Sequence, residues 1–186
     1  MPARVSSPEF VGRGAELGRL QAALDRAERG VAAAVFVGGE SGVGKTRLLR
    51  ELERLAADRG ARVLRGDCAA FGAGELAYAP IAAALRRLGR ELDPAAFDEL
   101  LGPDRGVLAP LLPELSATEP ARETPAGSEA LAQARLFGQL RALLDRLAGE
   151  ALVLFAIEDI HWADRSTLEF LSSVLQGLRD ERLLLV

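Results

Sequence analysis

Apolar residues recur every three or four positions in several stretches of this chain and fill short unbroken runs between them. Leu17, Leu20, Leu24 and Ala27 follow the helical spacing and predict a helix over about 15–29, ended by Gly30. Ala32–Val37 is a short apolar run and predicts a buried strand; Arg47–Leu55 then reads as an amphipathic helix that continues to about Arg59, where Gly60 stops it. Residues 61–66 predict a second strand, and 67–77 form a loop rich in Gly and Ala. Tyr78-Ala79-Pro80 opens a helix with Ile81, Leu85 and Leu88 inward. Asp93-Pro94 pairs an N-cap with proline at the first helical position, predicting a short helix to Leu101. Five of the nine prolines fall between 103 and 125, which breaks regular structure across about 103–127. Ser128 caps a long helix with Leu131, Leu136, Leu140, Leu143, Leu144 and Leu147 inward, ended by Gly149. Ala151–Ile157 is apolar without interruption, as in a parallel strand buried on both faces. Asp164 caps a helix carrying Leu168, Leu171, Val174, Leu175 and Leu178, and Arg182–Val186 begins a further strand.

Between the first strand and the helix after it stands Gly39-Glu40-Ser41-Gly42-Val43-Gly44-Lys45-Thr46, the full G-x-x-x-x-G-K-[ST] pattern. Its glycines let backbone N–H groups turn inward around phosphate oxygens. Lys45 is the sole lysine, and every other one of the 23 basic residues is arginine. A compact ammonium reaches β- and γ-phosphates as a point charge where a planar guanidinium would crowd the slot. The Thr46 hydroxyl is placed for Mg²⁺, and the helix beginning at Lys45 points its positive end at the anion. A Gly-rich turn with no phosphate would share these letters; the strand before and the helix after supply the setting that phosphate binding needs.

The apolar run 151–157 ends in Glu158-Asp159. A hydrophobic strand closed by acids is the second half of phosphate-loop chemistry: one carboxylate assists Mg²⁺ and its neighbour polarises the attacking water. Two solvated acids at a strand end are the plainer alternative. His161 and Trp162, the only histidine and tryptophan, follow at once. We read them as packing and hydrogen-bonding beside the acid pair, with a catalytic histidine as the alternative.

The chain has 186 residues, 49% of them hydrophobic, enough for one domain with a real core. Net charge is −4, and no basic stripe with interleaved aromatics stands out, which argues against a nucleic-acid surface. The single Cys68 permits no internal disulfide, suits a reducing cytoplasm and reads as a buried small hydrophobe. No apolar run reaches the length of a membrane span, and residues 1–9 read as a loose leader without a signal-peptide core. The domain is therefore expected over 10–186, cytoplasmic, with no membrane partner.

Other phosphate-loop classes fit poorly. With no asparagine and no second lysine, a guanine-reading N-K-x-D element is absent. Leu171-Ser172-Ser173 does not supply the L-S-G-G-Q signature of transporter ATPases, and the acid pair argues against a small-molecule kinase. The class with an extra strand between the phosphate-loop strand and the acid-bearing strand remains. Phe10-Val11-Gly12-Arg13 with Glu16-Leu17, the phosphate loop, Tyr78-Ala79-Pro80, Leu112-Pro113-Glu114-Leu115 and Glu158-Asp159-Ile160-His161-Trp162-Ala163-Asp164 together resemble the AAA-type ATPase domain of STAND regulators, over about 9–186. Such domains stand at the N-terminus of large LuxR-type transcriptional regulators, and of some adenylate cyclases and kinases.

The resemblance implies that Val11, Gly12 and Arg13 lie near the adenine and that Gly39 to Thr46 wrap the phosphates of ATP or ADP. It implies Glu158 beside Mg²⁺ and Asp159 beside the water. Many such ATPases carry aspartate where Glu158 stands, one methylene shorter, so the division of labour between the two acids stays open. The implied fold is a three-layer α/β domain with a mostly parallel sheet. The strand at 182–186 should lie between the phosphate-loop strand and the acid-bearing strand, and the first strand should offer an open edge. The chain reads as truncated in that fourth strand; inducer contacts, and DNA contacts through a helix-turn-helix, would lie in missing C-terminal modules. The implied function is an ATP·Mg²⁺-dependent switch with slow hydrolysis, able to self-associate. A non-hydrolysing nucleotide-binding scaffold is the rival, and a small-molecule kinase the third reading.

Overall fold

The computed structural model describes residues 12–68, 77–103, 105–113, 115 and 129–186. The expected leader, Val11, most of the Gly/Ala loop, the segment Pro120–Gly127 and the Ser128 cap lie outside them.

Four parallel strands form one sheet in the order β1-β4-β3-β2: β1 (Ala33–Ala34), β2 (Arg62–Asp67), β3 (Val153–Glu158) and β4 (Leu183–Leu185). The strand at 183–185 does lie between the phosphate-loop strand and the acid-bearing strand, and β1 stands at an edge. Alternation along β3 explains its unbroken apolar run. Val153, Phe155 and Ile157 enter one core, while Leu154 and Ala156 enter the other. The second core is closed by α1 (Gly14–Glu28) and α2 (Lys45–Asp58) through Leu20, Leu24, Leu48 and Leu52. The first is closed by α3 (Ala79–Glu91), α4 (Pro94–Leu101), α5 (Glu129–Glu150) and α6 (Arg165–Gly177). Helices therefore cover both faces of a parallel sheet, the three-layer α/β architecture.

Local signals placed several boundaries. Asp93 caps α4 by accepting from the Ala95 and Ala96 N–H groups at 2.9 and 3.1 Å, with Pro94 in the first turn. Gly66 lets the start of α3 approach β2, because a Cβ there would stand 2.6 Å from the Pro80 carbonyl oxygen. Other expectations are corrected. The first strand pairs only over Ala33–Ala34, extended by Val35 donating to Leu185, and Phe36 is 73% exposed rather than buried. Its sole neighbour among the described strands is β4, so no second strand covers it. α5 ends at Glu150, one residue past Gly149, where the Arg182 guanidinium donates to the Ala148 and Gly149 carbonyls. Leu131 is exposed, in the first turn of the 22-residue α5, whose buried residues run from Leu136 to Ala148. Leu168 is also exposed, lying outside the buried stripe of α6 formed by Thr167, Phe170, Leu171 and Val174.

Candidate functional site

The phosphate loop leaves β1 and the acid pair ends β3, so both motifs gather at the carboxyl ends of parallel strands, where α/β sheets place ligands. Gly42 and Gly44 hold φ of +81° and +90°, a left-handed backbone that favours glycine. Gly44 is also the N-cap residue of α2, so the loop delivers Lys45 and Thr46 into the first turn of a 14-residue helix whose Leu48, Leu49, Leu52 and Ala56 are buried. That anchoring fixes the loop's exit. The Lys45 ammonium donates to the Gly39 and Glu40 carbonyls at 2.8 and 2.9 Å. Two of its three N–H groups thus hold it within the loop, and the third is left for an anion.

Thr46 joins the two motifs. Its hydroxyl donates to Glu158 Oε2 at 2.8 Å. A hydroxyl whose single proton is committed to a carboxylate keeps its lone pairs for a cation. Among the described residues no group of three or more His, Cys, Asp or Glu could hold a metal ion by itself. A hydroxyl and a carboxylate beside a phosphate loop nevertheless suit a hard cation that takes its remaining oxygens from phosphate and water, as Mg²⁺ does.

Asp159 differs from its neighbour. It is exposed, and its φ of +54° is one of two left-handed non-glycine conformations among the described residues. Such conformations concentrate where surrounding structure holds a functional side chain in place. The turn carries the chain off β3 into a 3₁₀ turn at Ile160–Trp162, with the Trp162 N–H donating to the Asp159 carbonyl at 2.8 Å. This corrects the expectation for His161 and Trp162. Both are exposed, with ring centroids 5.2 Å apart; His161 lines the same cleft as Glu158 and Asp159, whereas Trp162 is 54% exposed.

A cleft of about 290 Å³ opens beside these groups. Lys45, Thr46, Glu158 and Asp159 contribute its polar side; Phe36, Val37, Leu171 and Leu175 are among its apolar lining. Gly12 and Arg13, expected near the adenine, precede α1. Arg13 reaches the loop and donates to the Val43 carbonyl, tying the start of α1 to the loop. Glu40 and Ser41 are exposed on the loop.

The sequence reading missed Arg65. It lies on β2 and donates to Glu158 Oε1 at 2.6 Å, to Asp67 at 3.2 Å and to Glu53 on α2 at 3.3 Å. Burial pushes the Glu53 carboxyl up against the pull of Arg65, and the Glu158 charge adds to the push. Strand alternation carried a usable signal. Val63 and Arg65 share a face, as do Leu154, Ala156 and Glu158, and both faces look toward α2.

No helix among the described residues is long and apolar enough to cross a membrane. Neither a curated protein nor a solved structure matches the chain. A family model described as AAA ATPase domain matches residues 9–186, and a phosphate loop joined to an acid-ended parallel strand is what such a nucleotide-binding domain requires. This chain belongs to the AAA ATPase domain family.

Proposed function

We propose that this chain is an ATP·Mg²⁺-binding switch domain of a signal-responsive regulator, of the STAND type found in large LuxR-like transcriptional regulators. The observation that carries the reading is the Thr46–Glu158 hydrogen bond, which brings the metal-side groups of both motifs to one point. Gly39 to Thr46 would surround the phosphates with backbone N–H groups, and Lys45 would meet the terminal phosphate. Thr46 and Glu158 would hold Mg²⁺, which supplies positive charge to the β- and γ-phosphate oxygens when bound. Asp159, exposed at the rim, would orient a water and accept its proton. Gly12 and Arg13, tied to the loop at Val43, would lie on the base side.

A triphosphate bridged between the loop after β1 and the end of β3 would favour one arrangement of the elements that carry them. Release of the γ-phosphate would remove that preference. Hydrolysis is then a slow reset. Inducer and DNA recognition are assigned to other modules of such a regulator, and self-association through the nucleotide domain would follow the bound state.

Isothermal calorimetry of the chain with ATP, with Mg²⁺ and then with EDTA, tests the reading. Magnesium-dependent uptake is expected, and none with folded protein would end it. Asp159→Asn separates a switch from a scaffold. A switch keeps ATP and loses its slow release of phosphate by about a hundredfold or more, whereas a scaffold has no turnover to lose.

A further inference from the structure

Four side chains close a circuit behind the candidate metal site. Thr46 and Glu53 lie seven residues apart on α2, about two turns, and so share a face. Glu158 accepts from Thr46 through Oε2 and from Arg65 through Oε1. Arg65 returns to α2 by donating to Glu53. The side chains of Arg65, Glu53 and Glu158 retain only 15%, 16% and 12% of their exposure. Glu53 Oε1 is buried with no hydrogen-bond partner, so the Arg65 guanidinium is the principal compensation for that carboxylate.

We propose that Arg65 is a positioning residue: it fixes the Glu158 carboxylate so that Oε2 alone faces Thr46, and Glu53 anchors Arg65 for that task. The inference rests on the reading of Glu158 and Thr46 as the metal-side pair. Two facts favour a positioning role over plain charge balance. Arg65 engages Glu158 through one oxygen and leaves the other to Thr46, so it selects which oxygen serves the site. Its guanidinium also joins Glu158 on β3 to Glu53 on α2, besides Asp67 on its own strand, a reach that suits a rigid fork of five donors. Glutamate needs such a restraint because its flexible stem otherwise swings the carboxylate among rotamers.

Arg65→Gln alone leaves two buried carboxylates short of a partner and endangers folding. The test therefore uses Glu53→Gln/Arg65→Gln beside wild type, with folding checked by circular dichroism and thermal melting. ATP affinity is measured by calorimetry with EDTA and with Mg²⁺, and the ratio of the two is the readout. Loss of a partner that orients a metal ligand lowers that ratio about 10- to 100-fold. Affinity in EDTA should stay within about threefold of wild type, because among the described residues the hydrogen bonds of Arg65 go to Asp67, Glu53 and Glu158 and not to the phosphate loop. Arg65→Lys should fall between the two. A folded double variant with the wild-type ratio overturns the proposal, as does one that loses affinity equally with and without Mg²⁺, since that is a structural role. If wild type itself shows no magnesium-dependent gain, the functional reading falls first and this inference falls with it.

Discussion

The Thr46 hydroxyl donates to Glu158 Oε2 at 2.8 Å although the two residues are 112 positions apart. Thr46 starts a helix on one face of the sheet, and Glu158 ends a strand buried in the middle of it. Removing the hydroxyl tests how much that link matters. Thr46→Val keeps the shape and strands one carboxylate oxygen. Fold stability should fall by about 1–3 kcal/mol, read from urea denaturation, and magnesium should no longer strengthen ATP binding. Thr46→Ser should preserve both properties.

Lys45 offers a different balance. Its ammonium is bound by two loop carbonyls, but the residue is only partly buried and belongs to neither hydrophobic core. Lys45→Ala should leave the melting temperature nearly unchanged and weaken ATP about 10- to 100-fold, the effect of about 1.5–3 kcal/mol from a charged hydrogen bond. Because Lys45 is the sole lysine, a lysine-directed acyl-phosphate ATP probe should modify that side chain and no other. Excess ATP should block the reaction, as mass spectrometry would show.

Much of this arrangement was legible because it is local. The phosphate loop, the Asp93-Pro94 cap and the Gly60 stop are each decided within a few residues, and α2 and α4 follow them. The strand buried on both faces was equally readable, since β3 has no polar residue before Glu158. The Arg65–Glu158 pair was not. It needs the β2–β3 register, which places Asp67 opposite Glu158 and Arg65 diagonal to it, and register is a property of pairing between distant segments. Trp162 failed for a related reason. It was expected to pack beside the acid pair, but the left-handed turn at Asp159 carries the chain off the sheet and leaves Trp162 54% exposed, and no local letter announces that turn.

The same turn gives Asp159 a backbone signature. At φ +54° a side chain with no local hydrogen-bonding group costs about 1–2 kcal/mol, whereas Asn and Gly tolerate the conformation. Asp159→Ala should thus be less stable than Asp159→Asn, and Asp159→Gly at least as stable as Asp159→Asn, in parallel thermal melts. Equal stability of the Ala and Asn variants would show that the turn does not constrain this position.

Asp164 is a cap with more than one dependant. Its carboxylate accepts from the Thr167 N–H at 2.9 Å, from the fully buried Thr167 hydroxyl and from the Tyr78 N–H at 3.3 Å. It therefore pins the start of α6 to the start of α3. Asp164→Ala removes the cap, worth about 1 kcal/mol, and leaves a buried hydroxyl unpaired at about 1–3 kcal/mol. A combined loss of about 2–4 kcal/mol is expected by denaturation. Asp164→Asn should recover more than half, and adding Thr167→Val to Asp164→Ala should recover the hydroxyl's share.

Cys68 follows β2 and is 5% exposed. Burial pushes its thiol from 9.0 up to about 11, and the charges of Asp164, Asp159 and Asp67 push the same way. The neutral thiol is thus favoured in the folded state. Its contribution to stability is complete below pH 9, where folded and unfolded thiols are both protonated. It declines as pH rises from 9 toward 11, because the unfolded chain ionises first. The stability difference between wild type and Cys68→Ala should therefore shrink between about pH 8.5 and 10.5, with a slope of at most about 1.4 kcal/mol for each step of one in pH. The composition makes this titration clean: one lysine and one tyrosine are the other side chains ionising in that window, and arginine stays charged. Native protein at about pH 8 should also resist a thiol reagent that reacts at once after unfolding. Prompt labelling of the folded chain, or a pH-independent difference, would place the thiol in a wetter setting than the one beside Glu158.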